Sequence, residues 1–297
     1  MMKIKITSNI LMKSASLLSI ATALSLIIIK FISFKMTHSL ALLSSLMDSV
    51  LDFGASIVNF IAVYQALVPP DRNHRFGHGK AEALGSLIQS VIIAFSGVLL
   101  LYEAYIHFVN PTPLQNFDVG FFVICISIAM TLGLVAYQRF VIRKTNSLSI
   151  YADNAHYVGD ILMNIGVVIS MFFSYVVGWF FVDILFAVGV AFYLFFVAFK
   201  ILLSSLEILM DAELPSKTRS KIRKIVLKHP KVKGMDDLRT RNTGSHQFIQ
   251  FKLQVKSNLS FVETHAVCTE LEREIKKLFP HAEIFIHPEP FRGVRLS

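Results

Sequence analysis

The sequence predicts an α-helical membrane protein with six transmembrane helices, followed by a C-terminal cytoplasmic α+β domain. Three observations carry that reading. Of 297 residues, 54% are hydrophobic and 16% charged, whereas soluble domains carry about 25% charged residues. Apolar runs long enough to cross a bilayer, roughly 20 residues each, recur six times before residue 211. Beyond that point the composition turns: residues 211–297 hold 17 of the 29 Lys and Arg, and ten of the 20 Asp and Glu. A water-soluble globule is therefore excluded. Two cysteines, Cys125 and Cys268, exclude a disulfide framework and a four-cysteine zinc ribbon.

In order, the expected spans are Ile10 to Ile29, Ser39 to Val68, Leu84 to Val109, Val119 to Ile142, Asn154 to Val177 and Phe180 to Leu203. All nine prolines lie outside them, with Pro69, Pro70, Pro111 and Pro113 in connections, so each span can run as an unbroken helix. Orientation follows from the cationic residues of the short connections. Lys3, Lys5, Lys13, Arg72, Arg75, Lys80, Arg139, Arg143 and Lys144 fall on one side, against Lys30 and Lys35 on the other. Both termini are expected in the cytoplasm, with residues 1–210 as the transport domain and 211–297 as a regulatory and dimerisation domain.

In the tail, Ile222, Ile225 and Val226 recur at helical spacing, as do Val267, Leu271, Ile275 and Leu278. Between these segments, Ile249, Phe251, Leu253 and Val255 alternate with polar residues, and Glu283 to His287 is a second short strand. The implied order is α-β-β-α-β. Fewer than ninety residues make a modest core, which a partner surface would help. The basic excess beside a membrane suits anionic lipid; without aromatic stacking motifs, nucleic acid is not expected as a partner. His229, His246 and His281 read as surface side chains.

The charges inside the spans are the informative residues. Span two carries Asp48 and Asp52, and span five His156 and Asp160. An aspartate near a helix centre costs about 2.5 to 3.5 kcal/mol on insertion scales, so these residues need compensation. Each pair is spaced i, i+4, which stacks both side chains on one helix face. If the two faces oppose, three carboxylates and one imidazole converge in a four-ligand shell that Zn²⁺ accepts and Fe²⁺, Mn²⁺ or Cd²⁺ can share. With no Lys or Arg deep in spans two to five, the missing positive charge is most simply a metal ion. The alternative is a metal-free proton relay. In the connection after span two, Asp71, His74 and His78 form a second O,N,N set, beside Gly77 and Gly79.

The DxxxD at Asp48 and Asp52, the HxxxD at His156 and Asp160, and the loop from Asp71 to Glu82 together resemble the cation diffusion facilitator family, closest to its bacterial zinc and ferrous-iron efflux branch. The resemblance implies a homodimeric exporter of the inner membrane that binds a divalent ion at the four intramembrane ligands and exchanges it for protons. It also implies a metallochaperone-like fold for the tail and a weaker metal site at Asp71, His74 and His78. A regulatory metal in the C-terminal domain would use His265, His287 and Glu289. Where close relatives carry His, this chain has Asp236 and Lys252, and a charged ammonium cannot ligate a metal. Cys268, one helical turn after His265, could add a thiolate. Lys80 and Asp211 occupy the places of an interlocking ion pair near the dimer contact.

Ligand protonation supplies a mechanism, because His and carboxylates must lose protons to bind metal. His156 is the leading proton-coupling candidate, with a reference pKa of about 6.5. Two other classes compete. A metal-gated cation channel would conduct without a proton gradient. An intramembrane metal-dependent hydrolase would need an open coordination position, which four protein ligands do not leave. The chain is therefore not expected to be an enzyme.

Overall fold

The computed structural model describes residues 2–38, 40–109, 117–177, 181–244, 246–280 and 282–291. Pro111, Pro113, His281 and the expected start of span six at Phe180 lie outside them. The chain divides into two compact units, between Leu206 and Glu207.

The first unit is built from six long helices: α1 (Met2–Thr37), α2 (Leu40–Ala66), α3 (Lys80–Val109), α4 (Phe117–Thr145), α5 (Leu148–Val177) and α6 (Phe181–Leu209), the last running on into the second unit. Five have described segments long and apolar enough to cross a membrane: α1, α2, α3, α4 and α6. Over its described residues α5 is interrupted by Asp153, Asn154, His156, Asp160 and Asn164. Several hydroxyls inside the helices donate back to the preceding turn, as Ser16 does to the Met12 carbonyl (3.2 Å) and Ser127 to that of Val123 (2.9 Å), which pairs them within their own helices.

Two local devices set the α5 face. Asn146 takes a left-handed φ of 53°, which ends α4. Glu82 of α3 is buried and accepts hydrogen bonds from the Ser147 hydroxyl (2.5 Å) and the Ser149 amide (3.2 Å). Its carboxylate thus stands at the N-terminus of α5, where it meets orphan amides and the positive end of the helix dipole. Close approach of α2 and α3 depends on Gly85, since a Cβ there would lie 2.1 Å from that of Ala62.

The second unit contains α7 (Ser216–Leu227), β1 (Val232–Asn242), β2 (Gln247–Val255), α8 (Phe261–Leu278) and β3 (Ala282–Pro290). The sheet order is β1-β2-β3, with β1 antiparallel and β3 parallel to the central β2. A parallel β2–β3 pair needs a crossover, and α8 supplies it. Its start is fixed by a capping box, in which the Ser260 hydroxyl accepts from the Glu263 amide and the Glu263 carboxylate accepts from the Ser260 amide. Ile222 and Val226 of α7 join Val267, Leu271 and Ile275 of α8 against Ile249, Phe251, Leu253 and Val255 of β2 in one core. The alternation of β2 leaves Gln250 and Lys252 exposed. On that strand Lys252 is paired with Asp236 of β1 and His287 of β3, so the three side chains share one row across the sheet.

Candidate metal centre

Helical periodicity sets the geometry inside the first unit. Residues four apart on α2 and on α5 share a face, and the two faces meet at Asp52, His156 and Asp160, whose donor atoms all lie within 4.8 Å of one another. His156 Nε2 is 2.9 Å from Asp52 Oδ1 and 4.0 Å from Asp160 Oδ2. Ligands about 2.0 Å from a tetrahedral Zn²⁺ sit roughly 3.3 Å apart, so the trio needs only small adjustments to close around a divalent ion. The His156 side chain is 6% exposed, Asp52 18% and Asp160 32%, which leaves the carboxylates reachable and the imidazole shielded. Asp48, one turn away on α2, stands outside this three-donor group.

Next to the trio, α5 carries two polar residues that spacing did not single out. Asp153 is fully buried and accepts from the Ser19 hydroxyl of α1 (2.6 Å) and the Gln138 amide of α4 (2.7 Å). Tyr157 shares a 2.9 Å hydroxyl bond with Ser56 of α2. These bonds tie α5 to three helices and fix its rotation. Asp153 precedes His156 by three residues, a spacing that would have revealed it had the fifth span been started one residue earlier.

Lys30 corrects the expectation that it sits in a connection on the far side. It is an interior residue of α1, 9% exposed, and donates to the Ser49 hydroxyl (2.7 Å) and the Ser45 carbonyl (3.0 Å) of α2. The apolar run ends at Ile29, but the helix continues to Thr37.

The connection after α2 forms a second three-donor group. His74 Nδ1 lies 3.3 Å and His78 Nε2 3.4 Å from the Asp71 carboxylate, and the two rings are 4.6 Å apart. Asp71 Oδ1 also accepts the backbone amides of Asn73 (2.8 Å) and His74 (2.6 Å), an Asx turn that aims the carboxylate at both rings. Gly77 takes a φ of 80° beside His78, where a side chain would be strained. The His74 amide bond is the main cause holding the Asp71 carboxyl below its ordinary range. A depressed carboxyl contributes its order above the ordinary aspartate value and loses it only as pH falls through the lowered one. A pH titration of the His74 amide by NMR should therefore place its midpoint below about 3.9; a midpoint at or above that value would contradict the turn.

In the second unit the expected tail set is only partly assembled. His287 Nε2 is 3.7 Å from Glu289 Oε1, but the same oxygen lies 3.6 Å from the Lys252 ammonium. Asp236 accepts from Gln254 (2.5 Å). His265 lines a groove with Cys268 and Phe285. Among the described residues, the groups of three or more donors are the α2–α5 trio and the Asp71 loop, so His265 does not join His287 and Glu289 within ligating reach. Lys80 opens α3 in the first unit, and Asp211 belongs to the second, where Arg241 approaches it at 3.4 Å.

The family model described as cation efflux transmembrane domain matches residues 16–210, and that described as cation efflux protein, cytoplasmic domain, matches residues 214–291. The cation-efflux pump FieF of Shewanella oneidensis is 42% identical over 278 residues, covering 94% of both chains. That of Klebsiella pneumoniae is 38% identical over 280 residues, covering 94% of this chain and 93% of its own. A solved CzrB structure overlaps 26% of this chain and 98% of its own at 32% identity, with a TM-score of 0.26. Such relatives are pumps that move ions across a membrane, not enzymes. The chain belongs to the cation diffusion facilitator family of cation-efflux membrane transporters.

Proposed function

We propose that the protein is a proton-coupled antiporter that exports divalent metal cations from the cytoplasm, with Zn²⁺ or Fe²⁺ as the main cargo and Cd²⁺ or Mn²⁺ as further ones. The convergence of Asp52, His156 and Asp160 from two helices supports this reading most directly. Such O,N,O donors suit all four ions, and Asp48, one turn from Asp52 on α2, is the proposed fourth ligand. Ion loading requires deprotonated donors; protons arriving from the far side then compete the ion off.

Around this site the proposed arrangement has six spans, counting α5, in the bacterial inner membrane, with both termini cytoplasmic. Residues 1–210 carry transport, and 211–297 regulate it and join two copies in a homodimer. The pair Lys80 and Asp211 lies near that contact. Asp71, His74 and His78 form a secondary cytoplasmic metal site. The tail residues Asp236, His265, His287 and Glu289 hold at most one weak regulatory ion, because Lys252 occupies Glu289.

Uptake into vesicles reconstituted with the full chain tests the reading. Metal flux is expected to follow an imposed pH gradient, and to fall to background when the gradient is collapsed. Flux that persists unchanged without the gradient would favour a channel.

A further inference from the structure

We propose that the cavity between α4, α5 and α6 binds the phosphate group of an anionic phospholipid of the phosphatidylglycerol type, held by Arg139 and Arg143. This goes beyond the transport reading above and does not depend on it.

The cavity has a volume of about 240 Å³. Its α4 side carries Arg139 and Arg143, one helical turn apart and both exposed. Tyr151 of α5 and Tyr193 of α6 face the same space, and the Lys200 ammonium of α6 lies 5.8 Å from the centre of the Tyr151 ring. A third cation therefore stands beside the two arginines. Ala155 and Val158 of α5 add an apolar wall. Tyr151, Ala155 and Val158 recur at i, i+4 and i+7, a face of α5 roughly opposite the one that carries His156 and Asp160. The cavity is thus separate from the proposed cargo site.

What needs explaining is the uncompensated charge. Like charges one turn apart on a helix repel. The negative end of the helix dipole offsets that repulsion only within the last turn; Arg143 lies in that turn of α4, but Arg139 precedes the end at Thr145 by six residues. Among the described residues neither guanidinium forms an ion pair, and no acid lines the cavity. An anion is the missing partner. Two guanidinium forks match phosphate oxygens with paired donors, and tyrosine hydroxyls can donate to the rest. The surroundings identify the source as lipid. Phe196, 70% exposed, lies on the same face of α6 as Tyr193 and Lys200, and Phe140, 49% exposed, follows Arg139 on α4. An acyl chain covers such surface, whereas a free phosphate leaves it bare. Basic pockets between membrane helices, at the level where tyrosines gather, suit anionic headgroups. The orientation proposed above puts this one on the cytoplasmic side.

Native mass spectrometry of the full chain in a nonionic detergent, titrated with single lipids, tests the site. An uncharged micelle removes the diffuse attraction that an anionic bilayer exerts on every surface cation. The wild type is expected to bind phosphatidylglycerol at least about tenfold more tightly than phosphatidylcholine, whose choline cancels the phosphate charge. Arg139→Gln combined with Arg143→Gln should abolish that preference. Lys144→Gln removes an equal charge next to Arg143 but outside the cavity, and should keep it. If the double variant does not fold, the two single variants replace it, each expected to lose about fivefold in phosphatidylglycerol affinity. An unchanged preference in the folded double variant, or in both folded single variants, overturns the proposal. An equal loss in Lys144→Gln overturns it too, since the attraction would then be diffuse. Inorganic phosphate that displaces the lipid at equal concentration would overturn the assignment to lipid.

Discussion

Asp52→Ala and His156→Ala are each expected to lower metal-for-proton exchange by at least about a hundredfold while leaving the chain folded. Loss of a supporting residue around a metal costs roughly ten- to a hundredfold, and these two are direct donors, only 2.9 Å apart. The fold should survive, because the bonds that orient α5 come from other residues: Asp153 to Ser19 and Gln138, Tyr157 to Ser56, and Glu82 to Ser147. Asp48→Ala is expected to cost less, about tenfold, since the remaining trio can still hold an ion. Vesicle uptake of the purified variants, alongside size-exclusion profiles, gives the ranking. Wild-type rates in folded Asp52→Ala or His156→Ala would refute the site.

The second large effect is expected in the tail. Lys252 lies in the row between Asp236 and His287, and its ammonium is 3.6 Å from Glu289 Oε1. A lysine there removes a nitrogen donor, adds a positive charge and occupies a carboxylate, three effects that all oppose metal. Lys252→His reverses them together. It should tighten zinc binding by the tail at least tenfold or add a second ion, with Asp236, His287 and Glu289 as co-ligands. The unit beginning at Glu207 has its own core around Ile249, Leu253 and Leu271, so calorimetry on residues 207–297 is a suitable measurement. Tight zinc binding by the native tail, or no change in the variant, would count against this arrangement.

The reach of the sequence was set by how far apart the interacting residues are along the chain. The pairs Asp48/Asp52 and His156/Asp160 are visible because helical spacing puts both members on one face, and charge in an apolar run is conspicuous. Asp153 is fully buried, but its partners Ser19 and Gln138 lie 134 and 15 residues away, a match no local period reveals. Lys30 follows an apolar run that ends at Ile29, so it reads as an interface residue; only the continuation of α1 to Thr37 places it inside. In the tail, the alternation of β2 is plain, whereas β1 carries two register irregularities, near Gly234 and between Asp236 and Arg239, that blur its pattern. The neighbourhood of Lys252, His287 and Glu289 depends on a parallel pairing across the whole of α8. His265 and His287 look equivalent as sequence, yet one sits on that helix and the other on the sheet, and the fold does not bring them within ligating distance.

The central claim is that a divalent cation sits between α2 and α5. Anomalous X-ray scattering at the zinc edge, from crystals of the full chain grown with Zn²⁺ above neutral pH, locates the ion without assuming its ligands. The expected result is a peak within about 2.0 to 2.2 Å of Asp52, His156 and Asp160 donor atoms, with Asp48 drawn in as the fourth ligand. Zinc bound at Asp71, His74 and His78 with no peak between α2 and α5 would contradict it.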